Sequence, residues 1–161
     1  MAKTVSSFVL ITVLTALLMA LSIALARHGY ASFGALGARR LDGLASAASF
    51  IPLAAIYFFG VALLMILPLR AAAFVLVSGV EPVYWAAVVL FATIVGCLLA
   101  RVAFGQTGAL KVLLDWQFVF VAAVVGCHAI LNELRRNVLL RSLALVLAIA
   151  ASLACLFWTF S

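Results

Sequence analysis

Residues 6–26 read SSFVLITVLTALLMALSIALA, an uncharged run that begins three residues after Lys3 and stops at Arg27. At about 1.5 Å per residue a helix of this length matches the roughly 30 Å of a bilayer's hydrocarbon core. Four more stretches of the same character follow, at about 47–69, 83–100, 112–131 and 138–160. The expected fold is therefore an all-α integral membrane protein, a single transmembrane domain over residues 1–161 with about five spans.

The composition requires the same solvent. Of the 161 residues 70% are hydrophobic and 9% charged, against about 45–50% and about 25% in soluble domains. Ten Lys and Arg and four Asp and Glu cannot cover so apolar a chain in water, whereas in lipid the outside of a bundle can be as apolar as the inside. The net charge of +6 is not a nucleic-acid footprint, because the basic residues stand singly or in pairs at span ends, where they set topology and meet anionic headgroups. The expected setting is a multi-pass cell membrane, and the Ala-, Leu- and Arg-rich composition suits a bacterial inner membrane. The first span resembles a secretory signal, with Ala24-Leu25-Ala26 as a small-x-small site. Its apolar core, from Phe8 to Leu25, exceeds the usual 7–15 residues, so it reads as a retained span. Cys97, Cys127 and Cys155 each sit inside an apolar run without a CxxC pair and read as packing residues.

Two connections carry more information than the rest. Between the first two spans Tyr30, Phe33, Leu41 and Leu44 share one helical stripe, with Arg39 and Asp42 opposite, as in a helix lying in the membrane interface. Gly34, Gly37 and Gly43 lower the helix propensity, which leaves an ordered loop as the alternative. After the second span, Ala71–Gly79 is too short to cross and Glu81-Pro82 resembles a helix start, so the segment reads as a separate interfacial or re-entrant piece. No internal repeat is visible. With five spans the basic residues divide evenly: Lys3, Arg70, Arg135, Arg136 and Arg141 on the N-terminal side, Arg27, Arg39, Arg40, Arg101 and Lys111 on the other. The last span favours its Arg-rich flank inside and the first favours the reverse.

The fourth span is where polar groups enter apolar surroundings. Gln117, His128, Asn132 and Arg135 fall within about 60° of one another on a helical wheel, a stripe that could line a pathway for a proton, cation or small polar solute. His128 would then be its titrating group, since intramembrane ionisable residues are costly to keep. The plainer reading has His128 neutral and hydrogen-bonded to a neighbouring helix, with the other three at headgroup depth. On the opposite face Asp115 and Glu133 flank Ala122, Gly126 and Ala129. Similar small-residue seams occur in the third span (Ala92, Gly96, Ala100) and the fifth (Ala144, Ala148, Ser152), where they would let helix backbones approach closely. Asp115, between Lys111 and Trp116, reads as an interfacial anchor.

Chemistry of other kinds finds little support. His28 ends the first span and His128 lies about 24 Å deeper than Val112, so one haem cannot bridge them; no cofactor and no metal site are expected. The four acids form no DxxD, HExxH or paired-carboxylate pattern, and no GxSxG occurs. The stretch Gly108-Ala-Leu-Lys111 opening a long span, followed by Asn132 and the Arg135-Arg136 pair, resembles the closing helices of the copper-resistance D family. The Met and His clusters that a copper pathway implies are missing, and no residue role is carried over. The residues point first to a non-enzymatic subunit or scaffold packing against other membrane chains or against its own copies. A small transporter or channel stands second, and a membrane enzyme acting on lipid or quinone third.

Overall fold

The structure, a computed structural model, describes residues 2–45 and 50–160. Its helices are α1 (Ala2–Arg27), α2 (Ala31–Ala45), α3 (Phe50–Ile66), α4 (Leu69–Val75), α5 (Glu81–Ala103), α6 (Trp116–Arg136) and α7 (Val138–Phe160). A π-helical stretch, Leu76–Val80, joins α4 to α5, and a 3-10 stretch, Thr107–Leu114, precedes α6. No strand occurs among the described residues. Among the described residues four helical runs are long and apolar enough to cross a membrane: Lys3–Arg27, Arg70–Ala103, Phe118–Arg136 and Val138–Phe160. The apolar α3 has 17 residues, and the expected start of its span at Ala47 lies outside the described residues.

The chain divides into two compact units, Met1–Ala47 with Val88–Val119 and Ala48–Ala87 with Phe120–Ser161. In the first, α1 buries one stripe, Thr12, Thr15, Met19 and Ile23, and leaves Leu10 (69%) and Leu17 (63%) exposed. An outer surface of large aliphatic side chains suits hydrocarbon, not water. Gly96 lies against this stripe: a Cβ built there would sit 2.6 Å from the Thr12 carbonyl oxygen and would collide with Thr15 Oγ1. The two backbones touch where only glycine permits it. Ala92, Cys97 and Ala100, on the same face of α5, are buried.

Gly29 and Gly105 both adopt positive φ, 95° and 80°, and each ends a long helix. The Tyr30 amide donates to Leu25 O and the Gln106 amide to Arg101 O, the six-residue closure of a Schellman cap, which satisfies a terminal carbonyl and reverses the chain. Gly29 thereby turns α2 back onto the last third of α1. Gly34 packs on Ser22 and Ala26, Gly37 on Ser22, and Leu41 joins Met19, Ile23, Cys97 and Ala100 in one apolar cluster. Two of the glycines that weaken the helix in the sequence, Gly34 and Gly37, are the contact surface in the fold. Of the stripe expected on this segment, the side chains of Phe33 and Leu44 lie outside the described residues. Asp42, near the end of α2, pairs with Arg101 of α5.

In the second unit α3 and α7 run antiparallel. Arg141 Nε donates to Met65 O and Ser152 Oγ donates to Ala55 O over 3.1 Å, so the register advances by eleven residues on α7 for ten on α3. Ala144, Ala148, Ser152 and Cys155 are the buried stripe of α7.

Two boundaries differ from the sequence expectation. Ala71–Gly79 is not a separate piece: the helix runs unbroken from Arg70 to Ala103, 34 residues, and contains the expected span Val83–Ala100. Pro82 lacks an N–H and its ring would strike the carbonyl four residues back. The wider π turn immediately before it, in which the Glu81 amide bonds to Leu76 O, removes that conflict. Likewise α6 starts at Trp116, not Val112, because Asp115 is extended (ψ 134°) and its carbonyl accepts from Phe118 and Val119 as the helix begins. It ends at Arg136, so that Arg135 and Arg136 occupy its last turn, where cations are stabilised by the helix dipole.

The glycine contacts make a graded prediction. Gly96→Leu forces a large side chain between touching backbones and should cost about 1–3 kcal/mol, seen as a lower thermal midpoint in detergent. Gly126→Leu should leave that midpoint unchanged, because a Cβ at Gly126 meets no heavy atom within 4 Å.

Candidate functional site

The polar residues of α6 are distributed by the direction each turn faces. Val121, Val124 and Leu131 are buried, and His128, three and four residues from the last two, shares their side. Its ring stacks on Tyr84, centroids 3.7 Å apart and planes 12° apart. The ring of Tyr57 lies 6.1 Å from it, tilted by 50°. Both tyrosines are buried. His128 Nδ1 is buried without a hydrogen-bond partner. The Tyr57 hydroxyl neighbours the Cys127 thiol and makes no hydrogen bond of normal geometry. The result is an aromatic pocket, formed by α3, α5 and α6, that holds a half-buried imidazole.

Asn132 and Arg135 do not continue this pocket. They line a cleft of about 620 Å³ together with Arg136, Arg141, Leu64, Ile66, Leu67 and Pro68. The stripe expected on the helical wheel is thus divided between an aromatic pocket and a basic cleft, and the Gln117 side chain lies outside the described residues. The opposite face is open: Ala122 is half-buried, Gly126 and Ala129 are exposed, and so are Asp115 and Glu133 at its two ends. Among the described residues no three His, Cys, Asp or Glu side chains converge as metal ligands.

Sequence reasoning passed over Tyr57 and Tyr84. The signal was present for Tyr57, whose amphipathic ring favours the membrane interface yet sits near the middle of α3. Tyr84 follows closely on Glu81-Pro82, which reads as a helix start in the sequence, and its place inside a longer helix is set by the π turn before them.

No family model, curated protein or solved structure matches this chain.

The stacked pair has a measurable consequence. A double-mutant cycle with Tyr84→Ala and His128→Ala should give a coupling of about 0.5–1.5 kcal/mol, the range for aromatic pairs. Thermal or denaturant unfolding of the four proteins reads it directly, and additive single effects would show that the stack contributes nothing.

Proposed function

We propose that this chain is a non-enzymatic, five-span membrane protein that acts as a subunit or scaffold, packing against other membrane chains through the outward face of α6. The observation that carries this reading is Gly126, exposed with nothing near its Cβ position, in line with Ala122 and the exposed Ala129. A helix that meets only lipid is served equally well by leucine. Small residues are favoured where a second backbone comes close. The wider apolar surface of the helices supports a bilayer setting, and the composition supports a bacterial inner membrane.

The fifth crossing is α3. At about 25 Å it lies at the short end of spanning length, and its antiparallel pairing with the long apolar α7 carries it through the same depth. An odd number of crossings places the termini on opposite faces, which reporter fusions at both ends test. The same compartment at both ends would remove α3 from the count.

A pathway remains the second reading, because His128 Nδ1 is buried without a partner. Two variants separate the readings. If α6 is a docking face, Gly126→Leu reduces the mass of the assembly in mild detergent while the chain itself melts as before, and His128→Ala leaves the assembly intact. An unchanged mass would reject the docking face. A proton or cation flux in reconstituted vesicles that requires His128 would establish the pathway instead.

A further inference from the structure

We propose that the basic cleft at the junction of α6 and α7 is a binding site for a phosphate-bearing anion. Three guanidinium groups, Arg135, Arg136 and Arg141, and the Asn132 amide line one wall, with Leu64, Ile66, Leu67 and Pro68 along the other. The arginines reach it from different places in the sequence: two from the last turn of α6 and one from the first turn of α7, brought together by the tight turn at Asn137. Among the described residues none of the three is ion-paired, the one ion pair being Arg101–Asp42. Glu133, the acid nearest in sequence, lines a separate depression with Arg136, Asn137, Val138 and Leu140. Among the described residues no carboxylate lines the cleft itself: Arg136 borders both hollows, and Glu133 lies on the far one.

The groups already engaged leave binding capacity free. Arg141 Nε donates to Met65 O, which fixes the side chain across the end of α3 and leaves its terminal amino groups available. Asn137 Oδ1 accepts from the Leu139 amide at 3.1 Å, capping α7 and holding the turn. A guanidinium presents paired donors that match two phosphate oxygens, and such charge-assisted bonds are about twice as strong as neutral ones. The volume of about 620 Å³ falls within the about 300–1,000 Å³ of small-molecule sites. The apolar wall gives the site a second property: a lipid could seat its phosphate among the arginines and lay the start of an acyl chain along Leu64, Ile66 and Leu67. A free phosphate would use the arginines alone.

The full chain is reconstituted in phosphatidylcholine nanodiscs, and its thermal midpoint is followed in two series. One adds inorganic phosphate, the other replaces phosphatidylcholine stepwise by phosphatidylglycerol. Arg135→Gln with Arg136→Gln tests the cleft without touching the Arg141–Met65 bond. Arg70→Gln, an exposed cation outside the cleft, is the control. The expected result is a midpoint that rises with phosphatidylglycerol, with the half-saturating fraction shifted on the order of tenfold in the double variant and unchanged in Arg70→Gln. A rise with inorganic phosphate alone, lost in the same variant, assigns the site to a free anion. The proposal is overturned if neither series raises the midpoint, if the double variant responds as wild type does, or if Arg70→Gln loses as much. Should the double variant fail to fold, Arg136→Gln alone, an exposed side chain, is held to the same outcomes.

Discussion

A backbone amide in hydrocarbon has no water to turn to, and each N–H or C=O left unpaired there costs several kcal/mol. In the bilayer setting proposed for this chain, that constraint accounts for most of its features. The described chain is helical apart from its turns, and design is concentrated at the few points where the helical ladder stops. Where α1 and α5 end, Gly29 and Gly105 take the left-handed conformation and return a terminal carbonyl to an amide of the turn. Where Pro82 removes a donor, the π stretch lets Glu81 bond one residue further back. Hydroxyl groups on the spans obey the same rule: Thr15, Ser22, Ser78 and Thr93 each return their proton to a carbonyl of the preceding turn.

Once the backbone is satisfied, helices in lipid gain little from burying apolar surface against each other, and close approach decides which faces meet. Gly96 meets Thr12 and Thr15, Gly34 and Gly37 meet Ser22, and a Cβ at Gly60 would crowd Val80. On α7 the same role falls to Ala144, Ala148 and Ser152, with Ser152 bonding across to α3. Against that background the face of α6 through Gly126 is an exception: it has the residues of a contact surface, yet among the described residues nothing lies within 4 Å of a Cβ at Gly126, and Ala129 is exposed. Polar side chains are sorted as strictly. His128 packs against tyrosine rings, and the arginines two turns further along α6 open into a cleft.

Membrane-class composition, the helical class and the central part of each long run were legible because they depend on summed hydropathy over about 20 residues. The α6–α7 turn was legible too, since Arg135, Arg136 and Asn137 interrupt two apolar runs. What escaped was decided by geometry between distant residues. Glu81-Pro82 carries the signature of a helix start, and only the π turn before it allows the helix to continue. Gly34 and Gly37 carry the signature of a weak helix, and only the proximity of Ser22 makes them a packing surface. The wheel that grouped His128 with Asn132 and Arg135 has no knowledge of the tyrosines and leucines that face each turn. Its angular grouping was therefore unable to separate an aromatic stack from an open cleft.

The central claim is that the exposed aliphatic faces of these helices, α3 included, lie in hydrocarbon. Single cysteines at Leu17, Ile56 and Leu147, each more than half exposed in the chain (63%, 56% and 59%), test it in a background with Cys97, Cys127 and Cys155 replaced by alanine. A water-soluble maleimide is applied to intact and to detergent-opened membranes, since only a hydrated thiolate reacts. The account predicts no labelling at any of the three in either preparation, and full labelling after denaturation in sodium dodecyl sulfate. Rapid labelling of all three in native membranes would contradict it. Labelling at Ile56→Cys alone would remove α3 from the membrane.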